Sequence, residues 1–261
     1  MQNETGVSGQ TEAGFGAGVG RLPDETNELQ RALRIDGYAI VRNVLKLEEV
    51  RFLRSAATRY LQASDCYNYG GKFQLVKMEK VPDIETIIAS GSVRRHLARA
   101  TEPLAFRLTD ICDLALNTTS QWHKDVVHFN DIDGHAFTDE GFQFYKIAFY
   151  LQDQDDTSPA TLRVRPGSHL SHDLTNLPVK KVVVCAGDMI IFDVRIDHLG
   201  QLATVTERML RMSFATAGAR LRFDAQKAFS QSRSIMRWFH PRASDRMAIF
   251  MTFGPCGTPV G

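Results

Sequence analysis

Charge of one sign is not in excess in this chain: 31 Lys and Arg face 30 Asp and Glu, a formal net charge of +1 over 261 residues. That balance excludes the global basic footprint of non-specific nucleic-acid or membrane-surface binding. No apolar run approaches the roughly 18–20 residues that cross a bilayer, so no membrane span is expected. Cysteine is scarce, with only Cys66, Cys112, Cys185 and Cys256, and none forms a CxxC pair. This argues against a disulfide framework and for reduced thiols in a cytoplasmic protein. The opening MQNETGVSGQTEAGFGAGVG lacks both the basic start and the apolar core of a secretory signal.

What is present is ordinary for a globular protein, with 43% hydrophobic and 23% charged residues. Residues 1–24 are rich in Gly, Ser, Thr and Glu and are expected to form a flexible tail. Residues 25–261 suit one domain. A short helix is expected at Asn27–Arg34, a strand in DGYAIVRNVL, and a helix in KLEEVRFLRSAATRYLQ. In that helix Val50, Leu53, Ala56, Ala57, Tyr60 and Leu61 recur at helical spacing. Residues 92–116 also read as helical. From Asn117 onward, FQFYKIAFYLQD, ATLRVRPGSH, KKVVVCAGDMIIFDVRIDH and DRMAIFMTFG are rich in β-branched and aromatic residues and bounded by turn formers. Helices lead and strands follow, which favours an α+β fold around an antiparallel barrel or sandwich.

The chemistry concentrates in SQWHKDVVHF, Ser120 to Phe129. On a strand, His123 and Asp125 project to one face with Gln121, and Lys124 to the other. Two ligands at that spacing can grip one side of a metal ion. The preferred third is His198 in GDMIIFDVRIDHLG. There Ile190, Phe192, Val194 and Ile196 alternate along one strand face that His198 continues, with Arg195 and Asp197 opposite. His169, in RPGSHL, competes but fits a Pro-Gly turn. His128 and His135 lie in a polar stretch that suits a rim or loop. Two histidines and a carboxylate form the facial triad of non-haem Fe(II) oxygenases, which leaves three coordination positions open.

In that order, DGYAIVRNVLKLEEVRFLR, WHKD, FYLQDQDDTSPATLRVRPGSH and GDMIIFDVRIDHLG resemble the phytanoyl-CoA dioxygenase family of Fe(II)/2-oxoglutarate oxygenases, over about residues 30–254. The resemblance implies a double-stranded β-helix (jelly-roll) core flanked by helices. It implies Fe(II) held by His123, Asp125 and His198, with 2-oxoglutarate and O2 as co-substrates and release of succinate and CO2. It also implies an arginine for the far carboxylate of 2-oxoglutarate. Arg208 and Arg211 stand at the family's interval after the distal histidine, but in a stretch that reads as helix. Arg246 opens DRMAIFMTFG with Ala248, Phe250 and Thr252 on its face and is preferred over Arg211 and Arg208. Residues 200–244 then form a basic helical insertion. Residues 199–246 hold nine basic and three acidic residues, which fits either a solvated helical surface or a lid that attracts an anionic substrate. Lys146 shares a strand face with Phe144 and Ala148 and either points inward to the co-substrate or snorkels. The expected activity is oxidation, foremost hydroxylation, of a small organic molecule. The alternatives are a cupin-like metal-dependent hydrolase or isomerase and an inactive binding protein on the same fold.

Overall fold

The computed structural model describes residues 27–126, 134–139, 141–238 and 245–256. The expected tail (1–24) and His128 lie outside the described residues, as does the side chain of His135.

Four helices from the first half of the chain cover the main sheet. Helix α1 (Glu28–Asp36) starts where the Asn27 side chain accepts a hydrogen bond from the Gln30 amide and ends at Gly37, whose φ of 78° suits a residue without Cβ. After β1 (Tyr38–Val41) comes α2 (Leu47–Ala63), which buries Val50, Leu53, Ala56, Ala57 and Leu61 on one stripe. A hairpin, β2 (Tyr67–Asn68) and β3 (Gly71–Lys77), leads to α3 (Pro82–Ile88) and α4 (Gly91–Thr101). The helical reading of 92–116 fails after Thr101. Phe106–Leu116 is an eleven-residue strand, β4. Pro103 interrupts the helix, and pairing on both edges of β4 outweighs the helix preference of its Leu and Ala.

The remaining core strands are β5 (Tyr145–Tyr150), β6 (Arg163–Val164), β7 (Lys180–Lys181), β8 (Met189–Asp193), β9 (His198–Leu199) and β10 (Met247–Pro255). A one-turn helix, α5 (His135–Thr138), precedes β5. Two longer helices, α6 (Val205–Leu221) and α7 (Ala225–Trp238), separate β9 from β10. A seven-stranded sheet runs β1-β8-β5-β10-β4-β3-β2, every neighbouring pair antiparallel, and β7-β6-β9 form a second sheet.

Alternation divides the large sheet's residues between two cores. Ile147, Phe149, Ile191, Ile249 and Met251 pack against α1–α4. Ala148, Tyr150, Ile190, Phe192 and Ala248 face Leu162, Val164, Val182 and Val184 near the small sheet. The second of these cores is where the polar residues converge. None of the helices is long and apolar enough to cross a membrane, among the described residues.

Candidate metal centre

One expectation about the distal histidine needs correction. Val194 and Ile196 do not extend β8. The chain turns after Asp193, with the Ile196 amide donating to the Asp193 carbonyl at 3.0 Å, and it re-enters as β9 in the small sheet. Arg195 locks that turn by donating to both Asp193 carboxylate oxygens, at 2.9 and 2.7 Å. Val194 therefore packs with Val126, Ala136 and Phe144 in a separate small cluster. His123 and Asp125 likewise sit on no long strand. His123 forms an isolated antiparallel bridge with His198, the two exchanging main-chain hydrogen bonds of 3.1 and 3.0 Å.

That bridge sets the two imidazoles side by side, with ring centroids 4.2 Å apart. Asp125 Oδ1 lies 3.5 Å from His123 Nε2 and 3.7 Å from His198 Nε2. One ligand atom from each of the three residues fits within 4.8 Å of the others, a spacing one first-row cation can span. Both histidines turn Nδ1 away, onto the carbonyls of Gln121 and Ile196 at 2.7 and 3.1 Å. Carbonyl partners fix the tautomer with the proton on Nδ1 and a lone pair on Nε2. Burial above all lowers the pKa of His198, to about 4, so its lone pair is free at neutral pH. At His123 burial acts downward, but the neighbouring Asp125 carboxylate prevails and raises the pKa. Asp125 is buried, which alone would raise its pKa, yet Lys146 and His198 hold it well below the ordinary range.

Lys146 points inward from β5. Its ammonium lies 3.0 Å from Asp125 Oδ2 and 3.2 Å from Asp113 Oδ2 on β4, so it does not snorkel. Arg246 is 5% exposed and directs its guanidinium into the same core. Its Nη2 donates to the Tyr150 hydroxyl at 3.0 Å, and its Nε has no hydrogen-bond partner. No carboxylate lies within ion-pair distance of it among the described residues. A Cβ on Gly200, two residues after His198, would stand 3.0 Å from Arg246 Nη2, which brings that arginine to the end of β9. Arg211 and Arg208 are elsewhere. Both are exposed on α6, whose buried residues are Glu207 and Gly218, so the structure does not bring Arg211 to the cluster. His169 is buried in its turn with Nε2 on the Arg34 carbonyl at 3.1 Å, and it is not part of the triad cluster.

No family model matches the chain, and no curated protein matches it. Solved structures do. The non-heme monooxygenase ThoJ, as a nickel complex, is 15% identical over 87% of this chain and 77% of its own, with a TM-score of 0.57. The non-heme alpha ketoglutarate dependent epimerase SnoN from nogalamycin biosynthesis is 17% identical over 87% of this chain and 81% of its own, at 0.56. HygX from Streptomyces hygroscopicus, solved with nickel and 2-oxoglutarate bound, is 12% identical over 88% of this chain and 86% of its own, at 0.54. At these identities the likeness is one of fold.

Proposed function

We propose that this protein is an Fe(II)- and 2-oxoglutarate-dependent oxygenase with a jelly-roll core, acting on a small organic molecule. The observation that carries the reading is the buried guanidinium of Arg246, without a carboxylate partner among the described residues, in the same interior as the His123, Asp125 and His198 cluster. A buried cation without a counter-ion is costly, and a dicarboxylate that chelates a metal at one end supplies that counter-ion at the other. The donor set fits Fe(II): two imidazoles and one carboxylate on one side of the site. Structural neighbours described as alpha ketoglutarate dependent, and one holding 2-oxoglutarate, support the same reading.

Iron and 2-oxoglutarate, when bound, would supply the oxidising power, with succinate and CO2 as by-products. The chain's own residues do the rest. Nε2 of His123 and His198 and Oδ1 of Asp125 bind the metal. Arg246, steadied by Tyr150, binds and orients the far carboxylate. Phe192 and Phe250 line the site with apolar surface, Phe192 at 5.1 Å from the His198 ring and Phe250 beneath the Lys146 ammonium at 5.4 Å, and help exclude water.

The test is oxygen consumption and succinate formation by purified protein given Fe(II) and 2-oxoglutarate. Turnover should require both and should vanish in Asp125→Ala and His198→Ala. A metal-dependent reaction indifferent to 2-oxoglutarate would instead identify a hydrolase or isomerase.

A further inference from the structure

The two oxygens of Asp125 have different surroundings. Oδ1 faces the imidazole Nε2 atoms of His123 and His198, at 3.5 and 3.7 Å. Oδ2 faces away from them, onto the Lys146 ammonium at 3.0 Å. We infer that Lys146 is a positioning residue that reserves Oδ2 and so restricts Asp125 to one-oxygen ligation, with Asp113 setting the strength of that hold by sharing the ammonium. The inference rests on the function proposed above and assigns a role within the same site.

A carboxylate binds a metal through one oxygen or both. Two-oxygen ligation here requires Oδ2 to leave Lys146 in a region where the Lys146, Asp125 and Asp113 side chains are 17%, 7% and 16% exposed. The ammonium would then be left to Asp113 alone, with little water there to make up the lost partner. Strand pairing fixes the arrangement. Phe250 of β10 pairs with Asp113 of β4 on one side and with Ala148 of β5 on the other, and the Lys146 ammonium spans from β5 across the Phe250 ring at 5.4 Å to reach Asp113. One-oxygen ligation by Asp125 preserves three open positions, the number that a chelating 2-oxoglutarate and O2 together require.

A lysine that only neutralises buried acid and a lysine that withholds an oxygen predict different results. The experiment compares wild type, Lys146→Met, Lys146→Arg and Asp113→Asn, each loaded with Ni(II). Calorimetric competition gives the affinity. Infrared difference spectra of aspartate-labelled protein give the separation of the two carboxylate stretches, wide for one-oxygen and narrow for two-oxygen ligation. Lys146→Met should bind Ni(II) on the order of tenfold tighter, since a repelling charge is gone and a second oxygen is gained. Its stretch separation should narrow. Asp113→Asn, which leaves the ammonium wholly on Asp125, should bind Ni(II) several-fold more weakly with the wide separation retained, and Lys146→Arg should behave as wild type. A wide separation in Lys146→Met, or weakened metal binding there, overturns the inference. If Lys146→Met does not fold, Asp113→Asn decides, and unchanged or tighter binding overturns it. Failure of the functional reading looks different: His198→Ala would bind Ni(II) as well as wild type does.

Discussion

The Lys124 ammonium lies 2.7 Å from Asp197 Oδ1, with the two side chains 3% and 0% exposed. Lys124 stands between His123 and Asp125 of the triad, and Asp197 immediately precedes His198. The ion pair therefore ties the two ligand segments together from behind. Lys124 also donates to the carbonyls of Ser168 and Arg195, both at 2.7 Å, and the Thr175 amide and hydroxyl donate to Asp197 Oδ2 at 2.7 and 2.8 Å. Removing Lys124 leaves Asp197 only the longer Arg165 contact at 3.4 Å, and removing the Asp197 charge takes the nearest carboxylate from a buried ammonium. Lys124→Met or Asp197→Asn should each cost about 3–5 kcal/mol in urea unfolding, and Lys124→Met with Asp197→Leu should cost less than either. Additive losses would show that the pair is not coupled.

Arg246 and Gly200 offer a second check. Arg246→Ala should weaken 2-oxoglutarate binding to the Fe(II) protein by about 2–4 kcal/mol under anaerobic titration, with iron affinity retained. Arg211→Ala should leave that constant unchanged. Gly200→Ala places a methyl 3.0 Å from Arg246 Nη2 and 3.1 Å from Ser120 Oγ. Both are ends of side chains, so the fold should survive while 2-oxoglutarate binding weakens, by a smaller factor than in Arg246→Ala.

The pH dependence of stability should carry a signature of His169. Burial lowers its pKa below the ordinary 6.5, more than the nearby Asp193 raises it. The native chain then keeps His169 neutral while the unfolded chain takes up a proton, so stability is full above pH 6.5 and is lost as pH falls toward the folded value. Each unit of separation contributes about 1.4 kcal/mol. His169→Gln should flatten this part of the profile between pH 7 and 5 in chelator-treated protein. An equally steep profile in that variant would assign the loss to other groups.

Arg233 pins the α6–α7 pair to the large sheet. It is 1% exposed, pairs with Glu207 of α6, and donates to the carbonyls of Asn117 and Gly70, the latter at 2.9 Å. Arg233→Met strands Glu207 and two carbonyls. We expect faster proteolysis within residues 205–238 with Ni(II) affinity preserved, since the triad lies on other elements. Loss of metal binding in step with proteolysis would show that the helices support the centre directly.

Much of this site was legible because its parts sit in locally regular sequence. α2, β5 and β10 each keep one period, so Lys146 and Arg246 could be placed on strand faces. One failure arose because tertiary pairing overrode local preference. β4 is flanked by β3 and β10, so its apolar residues do not alternate cleanly, and Leu and Ala mimic a helix. With β4 misread, Asp113 could not be set opposite Phe250, and the counter-ion of Lys146 stayed hidden. Val194 and Ile196 continue the alternation of β8 in sequence, but Arg195 and Asp193 bend the chain there, a side-chain effect that period-two reading does not register. His198 lay in the right place for a different reason, its main-chain bridge to His123.

The order of strands has a consequence for how the protein is made. β10 is the last described strand to leave the ribosome, yet it occupies the middle of the large sheet, between β5 and β4. Until it arrives, the nascent chain carries two half-sheets, β1-β8-β5 and β4-β3-β2, each with one unsatisfied apolar edge of the kind that recruits chaperones or aggregates. Arg246 enters with β10, so the proposed co-substrate anchor is delivered at the same moment that the halves join. A chain terminated at Asp245 should accumulate as insoluble material, its His123, Asp125 and His198 already synthesised and never brought together.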